Sequence, residues 1–150
     1  MKNLKHEIMV LNQILKLLHQ TIALYDIYIM KAKNDESVKS VLQKIQKQHH
    51  EQVGHMIDLV QELEGNPINS AGLNLGIKEF KVKVSLSSNT KKILDQAMQD
   101  EEVIIQTIEQ AKSDVSENVK IQLKDFTREL KAIVKRLYQT KQETTIKRHH

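Results

Sequence analysis

The sequence predicts an all-α domain built as a four-helix bundle. Apolar residues recur at helical spacing in four separate segments. Strand formers and breakers are scarce, with one proline, four glycines and 3% aromatic residues among abundant Leu, Ile, Lys, Gln and Glu. At 150 residues the chain suits one domain with a continuous core.

Helix one is expected over about residues 4–33, because Leu4, Ile8, Leu11, Leu15, Leu18, Ile22, Tyr25 and Ile29 step by four and three. Asn34-Asp35-Glu36-Ser37 then supplies cap formers and first-turn acids. Helix two follows over 36–64, with Val38, Leu42, Ile45, His49, Gln52 or Val53, Met56, Val60 and Leu63 as its stripe. It ends at Gly65-Asn66-Pro67, where glycine favours a C-terminal cap and proline stops the helix. Helix three, over 89–112, begins at Ser88 or Asn89 and carries Leu94, Ala97, Glu101, Ile104 or Ile105, Ile108 and Ala111. Helix four, over 115–139, is expected to open on a capping box of Asp114 and Glu117, with Val119, Leu123, Phe126, Leu130, Ile133 and Leu137 as its stripe. Residues 141–150 lack a stripe and read as a frayed basic tail, to which no function is assigned.

Short links join helices one and two, and again three and four, so each pair should form an antiparallel hairpin. The middle connection, 65–88, exceeds the usual two to eight residues between bundle helices. It can run the length of a bundle roughly 40 Å long, which sets helix three parallel to helix two in the order up, down, down, up. Within it Phe80, Val82, Val84 and Leu86 alternate as a strand would, whereas Leu73, Ile77, Phe80 and Val84 fit a helix. A lone strand has no partner, so a short helix across the bundle is the preferred reading.

The absence of cysteine excludes disulfides, thiolate zinc sites, iron-sulfur clusters and cysteine nucleophiles. Neither a signal-peptide core nor a stretch long enough to span a bilayer is present, so a cytoplasmic protein with no membrane role is expected. The formal charge is +4. Lysines alternate with acids and base-stacking aromatics are nearly absent, which argues against a nucleic-acid partner.

Three stretches carry a family resemblance: Leu59-Val60-Gln61-Glu62-Leu63-Glu64-Gly65-Asn66-Pro67, the crossover residues Ser70-Ala71-Gly72, and Ile93-Leu94-Asp95-Gln96-Ala97-Met98-Gln99-Asp100-Glu101-Glu102. Together, over about residues 4–138, they resemble a bacterial ferritin-like family of unassigned function, domain of unknown function 2383. The resemblance implies the bundle and its crossover, and no particular reaction. Ferritin-like proteins with two metals carry a glutamate on each of two helices and a Glu-x-x-His pair on each of the others. This chain departs from that pattern, with Gln52-Val53-Gly54-His55 on helix two and no histidine on helix four before the tail.

Polar residues on faces that should be buried mark the candidate site. At 100° per residue His49 lies inside the apolar arc of helix two and Glu101 inside that of helix three, while His19 borders the arc of helix one. All three fall at one level, with Glu129 of helix four nearby. The preferred reading is a structural polar layer in which histidine and glutamate satisfy each other. The alternative is a divalent transition-metal site for iron, manganese or zinc, with His19, His49, Glu101 and Glu129 as ligands. No cofactor is expected under the first reading.

Glu51 and His55, at i and i+4, form a surface pair that can chelate an ion, with adventitious binding the expected outcome. No nucleophile constellation or phosphate-cradling loop is visible, so no catalytic residue is assigned. Val10, Ile14, Leu17, Leu24 and Tyr28 form a second apolar stripe on helix one, which points to a homodimer interface. The expected function is that of a non-catalytic bundle acting through self-association or an unidentified protein partner; a metal-binding or redox bundle is the alternative.

Overall fold

The computed structural model describes residues 3–69 and 89–148, with side chains to residue 145. The helix-or-strand question for residues 73–86 lies outside the described residues. Four long helices account for the rest: α1 (Leu4–Lys31), α2 (Glu36–Glu62), α3 (Thr90–Ala111) and α4 (Glu117–Arg148), with a short 3-10 turn, Lys112–Asp114, before the last. No strand occurs among the described residues.

Local chemistry sets most of the boundaries. The side chains of Asn3, Asp35 and Asn89 accept hydrogen bonds from the backbone N–H groups of Lys5, Val38 and Lys91, at 2.9, 3.1 and 2.9 Å. Each satisfies an amide that the first helical turn leaves unpaired. At the end of α2 the amides of Glu64 and Gly65 donate to the carbonyls of Gln61 and Val60, both at 2.9 Å, the paired bonds of a Schellman cap. The left-handed position in this cap is Glu64, at φ 62°, rather than the expected Gly65. Gly65 answers a different demand, since a Cβ there would lie 2.8 Å from the Ile8 side chain.

The expected capping box of Asp114 and Glu117 is replaced by a contact from across the molecule. Glu7 of α1, only 4% exposed, accepts a hydrogen bond from the Ser116 amide just ahead of α4. Its negative charge also suits the positive end of that helix. Asp114 instead lies in the 3-10 turn, 3.9 Å from His6.

The helix order follows from contacts between side chains. Glu7 meets Ser116, whereas Tyr25 and Tyr28 meet Glu101 and Asp100, so α1 and α3 are antiparallel. Gln52 meets Glu129 and His55 meets Gln122, so α2 and α4 are antiparallel. With α1 and α2 forming a hairpin, α2 and α3 are parallel, as the length of the crossover predicts. In section, α1 packs on α2 and α3, and α4 packs on the same two helices. The α2–α4 seam is the most sparsely packed of the four.

The predicted stripes of α2, α3 and α4 form the core, with Leu42, Ile45, Met56, Leu94, Ile104, Leu123 and Leu130 all inaccessible to solvent. The buried arc of α1 is wider than its single stripe. Val10, Ile14, Leu24 and Tyr28 are buried in the same cluster and Leu17 packs partly against it, because α1 serves both α2 and α3. The second stripe is therefore largely covered within the chain.

α4 runs to Arg148, past the expected end at 139 and through the segment expected to fray. Beyond Leu137 the buried face continues through Thr140 and Thr144, whose hydroxyls donate to the carbonyls of Arg136 and Thr140 at 2.8 and 3.0 Å. Satisfied in this way, a threonine can occupy a core position. Lys141 adds a 2.7 Å ion pair to Asp95 of α3.

Candidate functional site

A polar layer crosses the middle of the bundle and draws one group or more from every helix. His49 and Glu101, both with 0% side-chain exposure, meet at 2.7 Å between Nε2 and Oε2. The Tyr25 hydroxyl donates to the same Glu101 oxygen, also at 2.7 Å. On the opposite edge of the imidazole, His49 Nδ1 lies 2.6 Å from the Gln52 carbonyl oxygen. The Gln52 amide then donates to Glu129 Oε1 at 3.0 Å, so the chain of bonds ends on α4. Tyr25 packs edge-on to the imidazole, with ring centroids 5.6 Å apart. Beside this chain, Tyr28 donates to Asp100, which also receives the Gln96 amide at 3.2 Å.

Bond directions fix the charge state. A carboxylate only accepts, so Gln52 must turn its NH2 toward Glu129 and its carbonyl toward His49. The imidazole then faces acceptors at both nitrogens and holds protons on both. Burial disfavours the imidazolium, yet the Glu101 charge, its hydrogen bond and that of Gln52 prevail and raise the His49 pKa above its usual value. Burial, followed by the charge of Glu101, pushes the Tyr25 hydroxyl well above the ordinary phenol range, so it stays a donor. Burial and then Asp100 do the same for Tyr28.

Of the residues expected at the site, His49 and Glu101 are in direct contact, and Glu129 is joined to them through Gln52. His19 lies elsewhere, donating from Nε2 to the Ile68 carbonyl at 3.2 Å. It sits six residues before Tyr25, a rotation of about 240° around α1, and so faces the start of the crossover. Tyr25 occupies the place expected for His19, since its long side chain leans back toward the helix N-terminus. Its stripe position made Tyr25 read as purely apolar; the signal was the hydroxyl, which a buried tyrosine normally pairs. Glu7 was also missed, although it lies one turn before Leu11 on the buried arc.

The layer does not form a metal centre of the two-metal ferritin kind. Among the described residues no group of three or more His, Cys, Asp or Glu is arranged to hold an ion. His49 Nε2 and Glu101 Oε2 are already engaged with each other, although Glu101 Oε1 is buried with no hydrogen-bond partner. His55, expected to pair with Glu51, donates from Nε2 across the seam to Gln122 at 3.0 Å.

Where α2 and α4 diverge, a groove of about 500 Å³ opens to solvent. Lys44, Lys47, Glu51 and His55 line it from α2, and Asp125, Phe126 and Glu129 from α4. Gln52 and Glu129 belong both to this groove and to the buried layer, so the two are chemically continuous.

No curated protein and no solved structure gives a significant match to the chain. Residues 6–114, spanning α1 to the 3-10 turn, match the family described as Domain of unknown function (DUF2383). That match covers most of the 150 residues, and the chain belongs to this family.

Proposed function

We propose that this chain is a non-catalytic, ferritin-like bundle that acts by association, with the α2–α4 groove as its binding face. The observation that supports this reading is the contrast between the two polar regions. The mid-bundle layer spends its donors on its own acceptors, whereas the groove presents Lys44, Lys47, Glu51 and Asp125 to solvent. No helix among the described residues is long and apolar enough to cross a membrane.

Self-association is the first form to test. Lys47 and Glu51 are one turn apart on α2, so two copies related by a two-fold axis can set each lysine against the glutamate of the other. Sedimentation velocity at micromolar concentration should show a wild-type dimer, a Lys47→Glu monomer and a dimer restored by Lys47→Glu combined with Glu51→Lys. A wild-type monomer would remove self-association. Dissociation by Leu17→Glu but not by Lys47→Glu would place the interface on α1.

The buried, unpartnered Glu101 Oε1 supports a second reading, a metal-binding or redox bundle. Under it, stoichiometric manganese, iron or zinc should raise the melting temperature, and Glu101→Gln or His49→Ala should abolish the rise. Under the association reading, added metal leaves wild type and Glu101→Gln unchanged. Elemental analysis of protein purified without a metal-affinity step supplies the independent check.

A further inference from the structure

Gln52 stands between two groups with opposite requirements. Its carbonyl oxygen lies 2.6 Å from His49 Nδ1 and its NH2 lies 3.0 Å from Glu129 Oε1. A half-turn of the amide would exchange these roles, and nothing else in the chain of bonds has that freedom. Glu101 is fixed by His49 and Tyr25, while Glu129 is an exposed side chain at the groove.

We infer that Gln52 is a relay coupling the protonation of His49 to the carboxylate of Glu129, so that the groove gains a free negative charge when the buried imidazole becomes neutral. Of the two imidazole protons, the one on Nδ1 is lost first, to solvent water as pH rises, because it faces a neutral amide whereas the one on Nε2 faces a carboxylate. The bare Nδ1 then confronts a carbonyl oxygen, and the amide turns to donate its NH2 there. Its carbonyl now meets Glu129, acceptor against acceptor, and the carboxylate swings into the groove. His49 is acted on by Glu101 of α3 and Gln52 of α2; around it lie Tyr25 of α1, with Asp100 of α3 beyond it, and, through Gln52, Glu129 of α4.

The consequence deepens the association reading, on which it rests for its biological meaning. A released Glu129 joins Glu51 and Asp125, the latter paired with Arg128 at 3.3 Å, against Lys44 and Lys47 around one cavity, and the groove then receives a cationic group, such as a lysine or arginine side chain of a partner, more readily than while Gln52 holds Glu129. Protonated His49 withdraws that charge. Binding of a basic segment should therefore strengthen as pH rises through the His49 titration.

Imidazole-detected NMR titration tests the relay without any partner. Glu129→Gln can bond Gln52 in either orientation, which frees the amide to turn and should lower the His49 pKa by roughly one unit, the value of one hydrogen bond. The same Glu129→Gln change in a Gln52→Met background removes the same charge with the relay cut, and should shift it by much less. Equal shifts in the two backgrounds would show a general field effect and overturn the relay. So would a His49 that stays protonated until the fold is lost.

Discussion

Glu101 holds two donors inside the bundle, and its replacement separates their contributions. Glu101→Ala leaves an imidazole and a tyrosine hydroxyl buried without their acceptor, and should destabilise the fold by about 1–3 kcal/mol in denaturant titration. Glu101→Gln keeps an acceptor but removes the charge, so it should be less damaging. The pH dependence is more specific. The folded-state pKa of His49 is raised, so its contribution is fully present below the unfolded value of about 6.5 and is lost as pH rises through the folded value. Wild-type stability should therefore fall with rising pH in that window. Glu101→Gln removes the cause of the rise and leaves burial, which disfavours the imidazolium, so the fall should disappear. A profile unchanged by Glu101→Gln would show that His49 is not the group responsible.

At the level of the element, two glycines, one within α2 and one just past its end, make opposite demands. Gly54 lies within the helix, exposed, and a Cβ there would meet nothing within 4 Å. Gly54→Ala should then stabilise by about 0.5–1 kcal/mol, the difference in helix propensity. Gly65→Ala should destabilise, since the added methyl presses on Ile8. Glu64 holds a left-handed conformation that glycine adopts without strain, so Glu64→Gly should raise stability by up to about 1 kcal/mol. Thermal melts of the three variants check the assignment. A stabilising Gly65→Ala together with a destabilising Glu64→Gly would mean that the cap is shifted by one residue.

Across the whole molecule, two connections decide whether the hairpins form one bundle. The first is the bond from Glu7 to the Ser116 amide, which ties the start of α1 to the start of α4. Glu7→Ala should lose about 1–2 kcal/mol, the range of a lost helix cap, in chemical denaturation. The second is the crossover. The end of α2 lies beside Ile8 at one end of the bundle, while α3 starts at the other. Six residues in place of residues 63–89 would span only about 20 Å, against roughly 40 Å of helix. Such a variant should lose the monomeric bundle or exchange its hairpins between copies, seen by circular dichroism and sedimentation. A stable monomer with wild-type helicity would contradict the parallel arrangement of α2 and α3.

Periodicity and link length were enough to specify four helices, their main buried stripes and the parallel pairing of α2 with α3, and they narrowed two caps to Asn34–Ser37 and to Ser88 or Asn89, from which the structure selects Asp35 and Asn89. They also placed His49 against Glu101, because phase on a helix and distance from a turn are both encoded along the chain. Lateral arrangement is not encoded in that way. Only the tertiary structure decided that α1 lies between α2 and α3, which buries Val10, Ile14, Leu24 and Tyr28 within the chain and turns His19 toward Ile68. It also chose Tyr25 as the second donor to Glu101, Glu7 as the acceptor for Ser116, and Thr140 and Thr144 as core residues. In each case a polar atom is buried because a partner on another helix, or one turn back on its own, satisfies it. That partner exists only once the neighbours are in place.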